Sequence, residues 1–368
     1  MKRLLLFFVP ILACILTLLL AEGTYSLVRW NSSNRSILYQ AYKKLVRAVP
    51  DDAQPELKLA SRAEIEILIP DMIKAGAGMG NAPYDALRSE GAAINARNAD
   101  GCIFSKPLLK KEMTFLRSID YELFDPPVLF YDEAASVSQP LREFIEKYAV
   151  RRVTYNTNSE GERLTVPAIE AHDIVLVAGD SVANGVMIQD KETLSSNLQQ
   201  HDTARKYVNL GVAGVTAAEI VCNLTSAAKR YHGRIKELVY VYCENDFRPD
   251  EPFGQPEDVI SWLTDYVKRE GITKVKVILA PAIFNVVPQV TRFNGYRGEG
   301  HPTHKLEVEH LEKLAAKAGF EFFNIADLAL RETQERGTSY AALSLFVDIR
   351  HLSPYGTAKL ADTILRVH

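Results

Sequence analysis

The hydrophobic pattern is most regular after residue 170, where short apolar runs alternate with longer amphipathic stretches. IVLVA at 174–178 and KVKVIL at 274–279 are typical of buried parallel strands, and EDVISWLTDYVKREG at 257–271 has helical spacing. The full pattern predicts strands at 173–180, 206–211, 237–246, 274–281 and 320–326, and helices at 193–200, 216–232, 257–271 and 304–319. This alternation predicts a three-layer α/β/α sandwich with a mainly parallel sheet.

A last helix is predicted within HLSPYGTAKLADTILRV at 351–367. Ser353 suits the N-cap position, and Pro354 suits the first turn, where its missing N–H costs nothing. His351 is therefore expected in the loop immediately before this helix.

Residues 22–168 show no comparable order. AGAGMGNAP at 75–83 is loop-like, DPPVLFYD at 125–132 indicates an extended segment, and PLREFIEKYAV at 140–150 suits an amphipathic helix. We therefore expect an irregular N-terminal extension over 22–168, followed by a compact α/β domain over 169–368.

The first residues carry an unbroken apolar run, LLLFFVPILACILTLLLA at 4–21, preceded by Lys2 and Arg3. A helix needs roughly 17–25 such residues to cross the hydrocarbon layer. The run predicts a single N-terminal transmembrane helix, with residues 1–21 as a membrane anchor. The basic flank places the rest of the chain outside the cytoplasm, and we expect that compartment to be the periplasm. A cleaved signal peptide is the alternative, although Leu19 is bulky for a cleavage site.

Composition excludes some classes of partner and cofactor. The formal net charge is −3 and no strongly basic block is present, so no nucleic-acid partner is expected. No cluster of His, Cys, Asp or Glu has convincing metal-ligand spacing, and the glycines of a dinucleotide-binding loop are missing, so neither a metal nor a cofactor is predicted. Beyond the apolar run, Cys102, Cys222 and Cys243 are an odd number, which leaves open one disulfide or three buried thiols.

Polar side chains and one glycine lie at or just after the ends of three predicted strands and just before the last helix. They are Ser181, Gly214, Asn245 with Asp246, and Asp348 with His351. Because ligand sites of open α/β sheets gather at the carboxyl ends of the strands, we expect these residues to share one edge of the sheet.

These residue types suit nucleophilic catalysis. A serine hydroxyl needs a neighbouring base, and an imidazole oriented by a carboxylate is the usual one, so Ser181, His351 and Asp348 could form a triad. The oxyanion of an acyl intermediate needs preorganised donors, for which the N–H groups of Ser181 and Gly214 and the amide of Asn245 are candidates. Each cluster also has a structural interpretation, as a helix cap, a tight turn or a loop-stabilising pair.

Taken together, the four clusters resemble the blocks of the SGNH, or GDSL-type, hydrolase superfamily. The matching segments, in order, are GDS at 179–181, NLGVAG at 209–214, END at 244–246 and DIRH at 348–351. The resemblance implies a flavodoxin-like sandwich and gives each residue a role: Ser181 as nucleophile, Gly214 and Asn245 as oxyanion donors with the Ser181 N–H, Asp348 as orienting acid and His351 as base.

The opening block is also similar to that of membrane-anchored bacterial members of the superfamily. GDSVANGV at 179–186 matches their pattern, and NTNSEGERL at 156–164 is similar to their lead-in segment. Two positions depart from the family: Met187 stands where a second glycine is expected, and Cys243 where the family usually has a glycine.

The resemblance implies an extracytoplasmic serine esterase or deacetylase. It would act on an O-acyl ester of a small molecule or glycan, such as a cell-envelope glycan or glycolipid, through an acyl-serine intermediate. An O-acyltransferase would use the same triad, and a non-catalytic carbohydrate-binding or assembly protein would keep the same fold. The predicted membrane contact is through residues 4–21.

Overall fold

The computed structural model describes residues 60, 62–79, 94–116, 128–132, 137–243, 246, 251–281, 304–337, 339–347 and 350–366. These residues fall in one compact unit, Leu57–Val287 with His301–His368. The predicted anchor at 1–21 lies outside the described residues. Among those described, no helix is both long and apolar enough to cross a membrane.

The described residues contain eleven strands and nine α-helices. The strands are β1 Gly78–Met79, β2 Asn95–Arg97, β3 Ile103–Ser105, β4 Lys110–Leu116, β5 Val128–Asp132, β6 Ala149–Asn156, β7 Ile174–Gly179, β8 Lys206–Asn209, β9 Ile235–Cys243, β10 Lys274–Ala280 and β11 Glu321–Asn324. The helices are α1 Arg62–Lys74, α2 Gln139–Tyr148, α3 Ser181–Asn184, α4 Leu194–His201, α5 Ala217–Arg230, α6 Pro256–Glu270, α7 His304–Lys317, α8 Ile325–Arg336 and α9 Pro354–Arg366. Short 3-10 helices span Asp190–Glu192 and Ser339–Leu345.

The larger sheet is five-stranded, in the order β11-β10-β9-β7-β8, and all of its pairs are parallel. The five strands and four helices predicted after residue 170 are all present, which confirms the mainly parallel sheet of a three-layer α/β fold. Strand β7 lies between β8 and β9, so the chain first adds a strand on one side of β7 and then crosses to add the next strand on its other side. Such a switch point opens a crevice at the carboxyl ends of the strands.

Helices cover both faces of this sheet. Alternate strand residues such as Leu176, Leu238 and Val277 pack in one large apolar cluster with residues of α5, α6 and α7. In the other layer, α4 contacts β8, α8 contacts β10, and α9 contacts both of those helices. The central strands β7, β9 and β10 are buried on both faces, which is why their sequences are mostly apolar.

The expectation of an irregular N-terminal extension is wrong for its described part. Strands β1, β5, β4 and β6 form an antiparallel sheet in the order β1-β5-β4-β6, and β2 and β3 form a separate two-stranded hairpin. Charged residues at strand positions interrupt the apolar–polar alternation from which the antiparallel sheet could have been predicted. Lys111, in β4, is only 5% exposed because its Nζ pairs with Asp132 of β5, and β6 contains the adjacent Arg151 and Arg152.

Helix α8 was not predicted from the sequence. The predicted strand at 320–326 ends at Asn324, whose Oδ1 accepts a hydrogen bond from Ala326 N at 2.9 Å and caps the helix. Because the apolar run FEFFNIA continues across this cap, hydrophobicity alone gives no boundary between strand and helix.

The cysteines resolve into one disulfide and one thiol. Cys102, in the turn between β2 and β3, is bonded to Cys222 of α5, and Cys243 is a buried free thiol at the end of β9. The disulfide joins the hairpin of the extension to a helix of the large sheet.

Candidate active site

Ser181 lies at the carboxyl end of β7, at the switch point of the sheet. Strand β7 ends at Gly179, where a Cβ atom would lie 2.7 Å from the Val241 carbonyl oxygen, so the close approach of β9 requires a glycine. Asp180 then caps the short helix α3 by accepting the Val182 N–H at 2.9 Å. This cap turns the chain sharply and leaves Ser181 as the first residue of the helix.

The structure brings His351 to Ser181 across 170 residues of sequence. His351 Nε2 is 2.8 Å from Ser181 Oγ. The histidine lies in the predicted loop before α9, where its carbonyl accepts the Val347 N–H at 2.9 Å. Ser353 Oγ accepts the Gly356 N–H at 2.9 Å and so caps α9 as predicted. The loop holding the imidazole is therefore fixed on both sides.

Two of the predicted site residues, Asn245 and Asp348, lie outside the described residues. Their expected roles as oxyanion donor and orienting acid stay predictions. The neighbouring Asp246 is buried, and its Oδ2 accepts the Cys243 N–H at 2.9 Å, so this carboxylate braces the end of β9.

Gly214 lies in the loop that follows β8, at the same edge of the sheet. This loop runs along the end of β7, since Leu210 N donates to Val177 O at 2.8 Å and Val212 N to Gly179 O at 3.2 Å. Two residues later, Gly214 is exposed, with a φ of +76° that favours glycine. Its backbone is thus accessible beside the end of β7.

Asp180 offers a second acceptor to the serine hydroxyl. Its Oδ2 is 3.3 Å from Ser181 Oγ, and its Oδ1 also accepts from Cys243 Sγ at 3.0 Å. The single hydroxyl proton has a shorter path to the His351 nitrogen, at 2.8 Å, than to this carboxylate. Cys243, which stands where the resemblance predicts a glycine, therefore donates its thiol to the carboxylate beside Ser181.

Tyr240 lies beneath these groups, fully buried in β9. Burial, followed by the nearby carboxylate of Asp246, raises the pKa of its phenol well above the usual range. Tyr240 therefore stays protonated at physiological pH, and it does not compete with His351 as a base.

Sequence reasoning missed the role of Arg163, which holds the turn after the nucleophile. This buried guanidinium donates to the carbonyls of Asn184, Gly185 and Ile188, and its Nε donates to Asp190 Oδ1 at 3.0 Å. The only sequence signal was its place in NTNSEGERL, the segment similar to the family's lead-in.

An apolar cluster from the extension backs the loops of the site. Its buried members are Met113, Phe115, Val153, Tyr155, Val186 and Met187, and Ile94, Leu109, Ala213 and Val347 pack against it. These residues come from the antiparallel sheet and from the chain just after Ser181, just before Gly214 and just before Asp348. The described part of the extension is thus a support for the site.

The described part of the site has the geometry for nucleophilic catalysis by serine. A hydroxyl and an imidazole nitrogen are within hydrogen-bond distance at the carboxyl edge of a parallel sheet. Within the described ranges, no group of three or more His, Cys, Asp or Glu side chains could hold a metal ion.

No protein-family model and no curated protein matches the chain. Solved structures do match. The chain is similar to G-D-S-L-type lipolytic proteins and acetylxylan esterases. A member of the lipolytic G-D-S-L family from Veillonella parvula is 15% identical, with a TM-score of 0.40 over 54% of this chain and 98% of its own. A lipase/acylhydrolase from Enterococcus faecalis is 18% identical, with a TM-score of 0.39 over 53% of this chain and 94% of its own. An acetylxylan esterase from Geobacillus stearothermophilus is 16% identical, with a TM-score of 0.39 over 54% of this chain and 94% of its own.

Proposed function

We propose that this chain is a serine hydrolase of the SGNH type that cleaves O-acyl esters. The observation that carries the proposal is the 2.8 Å contact between Ser181 Oγ and His351 Nε2 at the switch point of a parallel sheet. The four sequence blocks that resemble the superfamily support it.

The reaction begins when His351 Nε2 takes the Ser181 proton while Oγ attacks the ester carbonyl carbon. The tetrahedral oxyanion is stabilised by the N–H groups of Ser181 and Gly214 and by the Asn245 amide, with Asp348 orienting the imidazole. The bond to the alcohol then breaks as His351 returns the proton to the leaving oxygen. Water repeats these steps on the acyl-serine and releases the carboxylic acid.

We further propose that the enzyme acts outside the cytoplasm, anchored through residues 4–21. Two features support this location: the apolar run behind Lys2 and Arg3, and the Cys102–Cys222 disulfide, since disulfides persist mainly in oxidising compartments. The location favours an ester of a cell-envelope glycan or glycolipid as substrate.

The first experiment treats the full chain with a fluorophosphonate probe, which labels activated serines. We expect labelling of the natural protein, no labelling of Ser181→Ala, and full labelling of Ser159→Ala, which removes an exposed loop hydroxyl. Ser181→Ala should also abolish ester turnover while the melting temperature stays unchanged. A natural protein that is not labelled at any pH between about 6 and 9, a range that spans the ordinary pKa of histidine, would instead favour a non-catalytic binding protein.

A second experiment identifies the acceptor. The full chain is given acetylated donors, with water alone or with added sugars, and products are separated by mass. Release of acetate alone supports the hydrolase, whereas acetylated sugar formed at its expense would show an acyltransferase using the same serine.

A further inference from the structure

A side chain of the extension contacts the peptide group that carries the Gly214 N–H. Asn95 Nδ2, at the start of β2, donates a hydrogen bond to the Ala213 carbonyl oxygen at 2.8 Å, across 118 residues of sequence. The Ala213 carbonyl and the Gly214 N–H belong to one planar peptide unit. Any group that fixes this carbonyl therefore fixes the direction of that N–H as well.

The contact gives the Gly214 N–H a defined direction. In a trans peptide the C=O and N–H bonds point in opposite directions, so a carbonyl directed at the β2–β3 hairpin directs the N–H away from it. Gly214 has no Cβ, and nothing lies within 4 Å of the place where one would be. Because Gly214 has no packed side chain to hold it, the Asn95 bond is an effective restraint on the orientation of its peptide.

The hairpin that carries Asn95 is itself fastened to α5, the helix that begins three residues after Gly214. Asn98 Nδ2 donates to Ser226 Oγ at 3.1 Å, and Lys229 Nζ pairs with Asp100 Oδ1 at 2.7 Å. Hydrogen bonds from Lys229 and then Ser226 lower the pKa of Asp100. Together with the disulfide to α5, these contacts fix the position of the hairpin that carries Asn95.

We propose that Asn95 is a positioning residue for the oxyanion hole, holding the Ala213–Gly214 peptide so that its N–H serves the reaction. A hydrogen bond to the carbonyl also polarises the peptide and makes its N–H a better donor. The inference rests on the proposed function and deepens it. The Asn95 Oδ1 atom is buried with no hydrogen-bond partner among the described residues, so the useful atom of this side chain is the donor.

The kinetic test uses Asn95→Leu, which keeps the branched shape and removes the donor. Loss of a whole oxyanion donor costs about 10²–10³ in rate, so loss of its restraint should lower kcat for p-nitrophenyl acetate by roughly 10-fold, with KM unchanged. The melting temperature should change little, because the variant also removes the unpartnered Oδ1 and so offsets the orphaned Ala213 carbonyl.

The matched control is Ser226→Ala, which loosens the same hairpin from α5 without touching Ala213. It should lower the melting temperature slightly and leave kcat within about twofold, since it removes the two hydrogen bonds of Ser226 Oγ, with Asn98 and with the exposed carboxylate of Asp100, and neither involves the Ala213–Gly214 peptide. An equal loss of kcat in both variants would overturn the inference, because general loosening would then explain it. An Asn95→Leu variant with the natural kcat would overturn it as well.

A spectroscopic test does not depend on turnover. Carbonyl-13C alanine and 15N glycine, incorporated together, select the Ala–Gly peptides, of which the sequence has five. We expect Asn95→Leu to move the Ala213–Gly214 signal and Ser226→Ala to leave it in place. An unmoved signal in Asn95→Leu would refute the contact, whereas a natural protein without label or turnover would refute the proposed function.

Discussion

Arg163 shows how one side chain can fix the segment that follows a nucleophile. Its guanidinium contacts three carbonyls and the Asp190 carboxylate, and it lies 4.4 Å from the centre of the Tyr155 ring. The planar fork of five N–H donors suits such a cluster of acceptors better than a lysine would. The turn from α3 to the 3-10 helix is thereby closed around a buried charge.

We predict that Arg163→Met lowers the free energy of unfolding by about 3–5 kcal/mol, because it leaves the Asp190 charge buried without its partner. Urea denaturation measures the change. The control is Arg151→Met, which removes a partly exposed pair with Glu192 at 2.7 Å and should cost at most about 1 kcal/mol. Equal losses of unfolding free energy in the two variants would show that burial of the Arg163–Asp190 pair does not increase its contribution to stability.

For individual residues, the sequence predicts the side chains proposed to react better than the side chains that hold them in position. Ser181 and His351 were identifiable because each lies in a short block at a strand end or helix start, and the structure places them in contact. Arg163 and Asn95 gave no comparable signal, since their importance depends on burial and on partners that only the folded chain supplies. A hydrogen bond between residues 118 positions apart does not change the hydrophobic periodicity around either of them.

The turn after α3 contains a residue in an unfavourable backbone conformation. Met187 has a φ of +77° and stands where the family pattern has glycine. Its side chain is 4% exposed and packs in the apolar cluster behind the site. The strain is therefore offset by burial of a large side chain, and the site keeps its turn without the second glycine.

Because of this compensation, we predict that glycine at position 187 is more stable than alanine, which is the reverse of their order in helices. Met187→Ala loses the buried side chain and keeps the strain, which should cost about 2–5 kcal/mol. Met187→Gly loses the same packing but relieves a strain of about 1–2 kcal/mol, so it should be the more stable of the two in urea denaturation. If alanine proved the more stable, as it does in ordinary helices, the left-handed conformation at 187 would be refuted.

Among the elements, the parallel strands were predictable and the antiparallel ones were not. A strand buried on both faces reads as an uninterrupted apolar run, as in IVLVAG of β7. Strand β4, KKEMTFL, has a buried lysine and two neighbouring charges, so its register becomes clear only when its partners β5 and β6 are known.

In the whole molecule, the described part of the extension is joined to the parallel-sheet domain by an apolar cluster at the candidate site and by one covalent bond. The apolar cluster unites residues from the antiparallel sheet with residues from three loops of the site. The Cys102–Cys222 disulfide spans 120 residues of sequence and bonds the β2–β3 hairpin to helix α5. The described part of the extension is thus an integral part of the folded unit.

We predict that replacing both cysteines, in Cys102→Ala/Cys222→Ala, lowers the free energy of unfolding by about 2–4 kcal/mol. Thermal melts with and without a reducing agent measure the effect. Reduction should bring the natural protein to the melting temperature of the variant and leave the variant unchanged. A natural protein indifferent to reductant would contradict a stabilising role for the bond.

The sheet that backs the active site precedes the nucleophile in sequence, so the ribosome finishes it first. At about 5–20 residues per second, His351 is added roughly 10–40 s after the end of β6. Until Val186 and Met187 are made, the apolar cluster that contains Met113, Phe115 and Val153 lacks the two buried residues that follow Ser181. We expect the nascent chain to be most prone to aggregation before residue 187 is added, and the Ser181–His351 contact to be among the last to form.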